Sequence, residues 1–143
     1  MLTGEFFHSV DEKGRINFPA KLREALGDSF FITRGLDNYC LYVYSHEEWE
    51  ILRQNVNAVT HLQERIDLQR HLFSGADNAK PDKQGRILIP QNLREYANLD
   101  RDVVVTGAST RAEIWDAGLW KEVFAKISPM GIMEKISKLG FTI

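Results

Sequence analysis

Ile16 and Phe18 alternate with Arg15 and Asn17 along the chain, and Ile87 and Ile89 repeat that spacing further on. A period of two predicts a strand that buries one face and wets the other. Each strand follows a turn-forming stretch, Asp11-Glu12-Lys13-Gly14-Arg15 in one case and Asp82-Lys83-Gln84-Gly85-Arg86 in the other. Asp suits the first turn position, and Gly accepts the positive φ that closes a tight turn. With residues 5–10 as a preceding strand, the first stretch reads as a hairpin. Pro19 and Pro90 then end their strands and suit the first position of a helix. A short helix is predicted over residues 20–26, stopping at Gly27, and its counterpart stops at Asn98.

Hydrophobic strand pairs follow both helices, over 30–33 and 40–44 in the first half and over 103–106 and 112–115 in the second. Ser45 with Glu48 forms a capping box that opens a helix. Asp116 is the matching cap, with Leu119 in place of the acid. Trp49 and Trp120 occupy equivalent positions in those helices and read as packing residues. Between the halves, Leu62, Ile66, Leu72 and Phe73 give residues 60–74 an apolar stripe at helical spacing. The tail over 123–143 is amphipathic, with breaks expected at Pro129 and Gly131.

The stretch from Asp11 to Glu24 recurs from Asp82 to Glu95 without a gap, an offset of 71 residues. That is longer than a solenoid period of roughly 20–50 residues, and there are two copies, so a duplicated small module fits better than a repeat array. The expected organisation is a first module over 5–47, a helical connector over 48–75, a second module over 76–119 and an amphipathic tail over 120–143. Modules this small bury little surface alone and call for packing on each other or on further chains.

Composition adds exclusions. The chain has 143 residues, 43% hydrophobic and 27% charged, within the ordinary globular range. It has no apolar run long enough for a membrane span and no leader-like start, so export is not expected. Cys40, the only cysteine, rules out a disulfide framework, fits a reducing cytosolic setting, and reads as a buried strand residue. The net charge of −2 argues against a polyanionic partner, but its distribution argues for one. Residues 13–23 carry four cations and no carboxylate; residues 80–94 carry four cations and one carboxylate, leaving −9 for the rest. Positive charge is thus gathered in the repeated element.

No catalytic constellation is present, and an enzyme is not expected. His8, His46, His61 and His71 lack metal-ligand spacing, and no phosphate-binding glycine loop or other cofactor motif occurs. The twin basic hairpins point instead to double-stranded DNA, since a two-stranded ribbon fits the major groove. Arg15 and Arg86, just after the turns, are the leading candidates for base or phosphate contact. Lys13 and Lys83 sit at the turn tips, and Lys21, Arg23 and Arg94 on the following helices could meet phosphates. Asp11 and Asp82 would brace the arginines, with Gly14 and Gly85 closing the turns. Two readings compete with this one: the arginines serve only to brace the hairpins, or the hairpins serve an oligomeric protein-partner or assembly module without specific DNA binding.

The paired Asp-x-x-x-Arg motifs, Asp11 to Arg15 and Asp82 to Arg86, resemble those of the MraZ family. So do the continuations Ile16-Asn17-Phe18-Pro19 and Ile87-Leu88-Ile89-Pro90 and the opening Met1-Leu2-Thr3-Gly4-Glu5-Phe6. The resemblance spans essentially the whole chain. It implies an α+β fold of two tandem AbrB-like modules, of the swapped-hairpin or double-split β-barrel kind, with short helices and a pseudo-twofold duplication. It also implies a ring-shaped homo-oligomer and a transcriptional regulator, a repressor in the expected sense. Such a regulator binds promoter direct repeats of the division and cell-wall gene cluster, its own promoter included, and is cytoplasmic and nucleoid-associated. By motif position, Arg15 and Arg86 carry over as DNA contacts. Affinity scales with phosphates neutralised, so an acidic protomer with one basic patch per module gains by presenting several copies to repeated sites.

Overall fold

The computed structural model describes residues 1–143. The first half runs β1 (Glu5–Ser9), β2 (Arg15–Asn17), α1 (Ala20–Leu26), β3 (Phe30–Arg34), β4 (Leu41–Tyr44) and α2 (His46–Asn57), and α3 (Leu62–Leu72) bridges to the second. The second half repeats the plan with β5 (Asp77–Ala79), β6 (Arg86–Leu88), α4 (Gln91–Tyr96), β7 (Asp102–Ala108), β8 (Arg111–Asp116) and α5 (Ala117–Ala125), and α6 (Pro129–Leu139) follows. The fold is α+β, with antiparallel sheets and two AbrB-like halves in tandem.

Both turns form as their residues dictate. The Asp11 N–H donates to the Arg15 carbonyl and the Gly14 N–H to the Asp11 carbonyl, at 2.9 and 3.0 Å; Asp82, Arg86 and Gly85 repeat both bonds at 2.8 and 2.9 Å. Beyond each turn, however, the strands part instead of pairing as a simple hairpin. β1 pairs with β7 of the other half, Phe7 opposite Val104, and β5 pairs with β3, Phe31 opposite Asn78. β2 pairs with β6 to make a separate two-stranded ribbon. The larger sheet runs β1-β7-β8-β4-β3-β5, an order that reads the same from either end when the halves are exchanged. Each half therefore lends its first strand to the other.

A single core results. Ile16 and Ile87 meet across the ribbon and are buried together with Phe18, Ile89, Leu22, Leu93, Phe30, Ile32, Val103 and Val105. Phe18 packs on Phe30 with ring centroids 4.8 Å apart. Burying each isoleucine contributes about 1.5–3 kcal/mol. A smaller cluster joins Cys40, Tyr42 and Trp115 to Trp120 and Leu119 of α5. Burial pushes the Cys40 thiol up to about 12, as befits a packing residue.

Helix ends follow the caps, with adjustments. The Ser45 hydroxyl accepts from the Glu48 N–H, and the Asp116 carboxylate from the Leu119 N–H, so that cap works without the acid. Pro19 and Pro90 cap their helices from the position before, and α1 covers the expected residues 20–26. Asn98 does take the left-handed conformation, φ 55°. The expected tail break becomes a start: Pro129 opens α6, and Gly131 lies inside it, its N–H donating to the Ser128 hydroxyl at 2.9 Å. A proline at the first helical position gives up only an N–H that has no partner there. No helix is long and apolar enough to cross a membrane.

Candidate nucleic-acid interface

The ribbon of β2 and β6 gathers what lies far apart in sequence. Its register sets Arg15 opposite Leu88, Ile16 opposite Ile87 and Asn17 opposite Arg86. Ile16 and Ile87 point into the core, so alternation turns Arg15, Asn17, Arg86 and Leu88 outward together. The two arginines are diagonal neighbours on this face, roughly 7–8 Å apart at Cα. The Asp11 and Asp82 turns stand at opposite ends of the ribbon. They are tied into it by bonds from the Phe18 N–H to the Gly85 carbonyl and from the Ile89 N–H to the Gly14 carbonyl, both 2.9 Å.

Each turn is organised by its aspartate. One oxygen of Asp11 accepts the N–H groups of Lys13 and Arg15, both at 2.9 Å, and the other accepts Arg15 Nε at 2.8 Å. Asp82 does the same for Gln84, Arg86 and Arg86 Nε, each at 2.9 Å. The Arg15 backbone N–H is the chief cause holding the Asp11 carboxyl below its usual range, and the Arg86 N–H is that for Asp82. The carboxylates engage Nε, and the Nη groups of both arginines make no hydrogen bond within the chain. Both arginine side chains are about one-third exposed, at 28% and 30%. A guanidinium so held is oriented for a bidentate contact with an acceptor pair.

The other candidates divide. Lys13 and Lys83 are exposed at the turn tips, and Lys21 is exposed on α1. Arg23 and Arg94 are occupied: Arg23 Nε donates to the Phe18 carbonyl at 3.0 Å, and Arg94 donates to the Ile89 carbonyl. Their guanidinium groups also lie against the turn of the opposite half, Arg94 over Gly14 and Arg23 over Gly85. Each turn is thereby backed by a cation from the other half. With Arg94 counted, the first turn holds three cations against two carboxylates, a balance of +1. With Arg23, the second holds three against one, a balance of +2. Asn17 and Leu88 are the residues that sequence reasoning did not single out. The alternation already set Asn17 outward, but only the pairing of β2 with β6 sets Leu88 beside Arg15. No group of three or more His, Cys, Asp or Glu side chains is placed to hold a metal ion.

A family model described as "MraZ protein, putative antitoxin-like" matches the chain twice, over residues 1–70 and 72–139. Among similar proteins, the Transcriptional regulator MraZ of Acetivibrio thermocellus is 47% identical over 143 residues, covering 98% of this chain and 99% of the relative. That of Clostridium tetani is 49% identical with the same coverage, and that of Desulfitobacterium hafniense strain Y51 is 50% identical over 123 residues, 85% of each chain. These relatives are named as regulators of transcription and not as enzymes. With both halves matched and relatives this similar along their full length, the chain belongs to the MraZ family.

Proposed function

We propose that the protein is a sequence-specific DNA-binding transcriptional regulator that acts as a homo-oligomer, in the cytoplasm and at the nucleoid. Its reading head is the outward face of the β2–β6 ribbon. The observation that carries this reading is the arrangement of Arg15 and Arg86, diagonal neighbours on the outward face of the ribbon, each held through Nε by an aspartate with its Nη groups unengaged within the chain. A ribbon of this width enters the major groove, and arginine paired with guanine O6 and N7 is the commonest specific contact there. Lys13 and Lys83 supply phosphate contacts from the tips, and Arg23 and Arg94 add positive potential from behind the turns.

By its likeness to the family, the target is promoter DNA of the division and cell-wall gene cluster, its own promoter included, with repression as the outcome. One ribbon offers few phosphate contacts, so several protomers on direct repeats raise the effective concentration of each. The exposed apolar side chains along α6 and beyond, Met130, Met133, Leu139 and Phe141, favour contact between chains.

The test is binding to the DNA upstream of the protein's own gene. Arg15→Ala and Arg86→Ala each weaken binding about tenfold or more, the loss of one bidentate contact, with an unchanged circular dichroism spectrum. Equal affinity in both variants and the parent removes the arginines from the interface. A shallower decline of affinity with salt in the variants separates phosphate contacts from base contacts.

A further inference from the structure

The ribbon is nearly, but not fully, symmetric on its outward face. Rotation about the axis through the Ile16–Ile87 pair carries Arg15 onto Arg86, and it carries Asn17 onto Leu88. The four outward positions thus hold two equivalent arginines and two chemically unlike residues. Asn17 is exposed, and Leu88 is 54% exposed, an isobutyl group in water on a face that is otherwise polar. The core does not require it, since Ile87 and Ile89 on either side already fill the interior.

A twofold-symmetric reading surface recognises a symmetric element, as paired half-sites mirror the symmetry of the proteins that bind them. Arginines alone would make this face indifferent to the direction of the duplex. We propose that Asn17 and Leu88 give the face its direction, so that one ribbon reads a non-palindromic element. Resting on the DNA-binding reading above, this assigns Asn17 to an adenine edge, which presents a donor and an acceptor to its amide in the major groove. It assigns Leu88 to a thymine methyl group, the apolar feature of that groove. The turn tips also differ, Glu12-Lys13 against Lys83-Gln84, but groups that meet phosphates carry no base information. Their difference sets how firmly each end is held. A directional element is also what head-to-tail repeats require, since a palindromic unit cannot distinguish a direct from an inverted array.

The test uses full-length protein and selection of bound duplexes from a randomised pool. The wild type enriches an element that is not self-complementary. Leu88→Asn, which makes the outward face symmetric, enriches a palindromic element with adenine in both arms. Asn17→Leu enriches a palindrome with thymine in its place. In direct titrations each variant shifts its preference between the two kinds of element by about tenfold, the discrimination one base contact provides. A wild-type element that is already palindromic, or the same directional element in all three proteins, overturns the assignment of direction and leaves DNA binding standing. Failure of the wild type to enrich any duplex overturns the DNA-binding reading as well.

Discussion

Gly14 is held by two independent constraints. Its φ of 83° lies where side chains are rarely found, and a Cβ built there collides with the Arg94 guanidinium, whose Cζ is 2.6 Å away. Gly14→Ala loses about 1–2 kcal/mol to the positive φ. It also displaces Arg94 from the first turn, so its melting temperature falls further than backbone strain alone requires and its affinity for DNA drops as well. Thermal denaturation and a binding titration read the two effects. The glycine was legible from sequence as a turn residue, because Asp-x-x-Gly-Arg needs a positive φ at that place. The arginine above it was not, since Arg94 comes from the other half and reaches Gly14 only once the strands have been exchanged.

At the scale of the element, the Asp11 turn is a small electrostatic device, and its pH dependence has a definite sign. The folded-state pKa of Asp11 is depressed, with the Arg15 N–H as the leading cause, so the support it gives is present above the ordinary carboxylate value of about 3.9. That support is lost only as pH falls through the lower folded-state value. Asp82 behaves alike, with the Arg86 N–H leading. Carboxyl-carbon NMR titration should show both aspartates protonating at lower pH than unperturbed carboxylates. Asp11→Asn keeps an oxygen for the two backbone N–H groups but gives up the charge on Arg15 Nε. The turn stays closed, the arginine becomes mobile, and binding to DNA weakens severalfold, less than on removing Arg15 itself; chemical shifts of the Gly14 amide and a titration would check both halves of that statement.

Local chemistry explains why such turns, and the Ser45 and Asp116 caps, could be read from sequence while the strand pairing could not. The bond from Asp11 N–H to the Arg15 carbonyl closes the turn whether the flanking strands pair with each other or with partners across the molecule. The choice is made by long-range packing, which places Phe6 and Phe7 beside Val105 and Val104. The tail was misjudged for a related reason. Pro129 and Gly131 are breakers within a helix, yet Ser128 caps the Gly131 N–H and turns the same pair into a helix start.

For the whole molecule, the exchange of first strands makes the halves one cooperative unit. Ile87 faces Ile16 across the ribbon at the centre of the shared core, both 1% exposed. Ile87→Ala is expected to lose about 2–5 kcal/mol, and the loss should not stay in the second half. Amide exchange in β3 and β7 should quicken together, and heating should give a single transition; two resolved transitions would mean that the halves are separable. The duplication itself was plain from the 71-residue offset. That the copies interlock, and that their two arginines end up on one face, is a property of the pairing and not of either copy.

The link between α2 and α3, residues 58–61, runs through Ala58, Thr60 and His61 at the surface. A protease cutting there would sever the peptide without freeing either piece, because β1 is stitched to β7 and β5 to β3. The covalent bond serves to bring the partners together during folding, whereas in the finished molecule it is the woven strands that keep them from drifting apart.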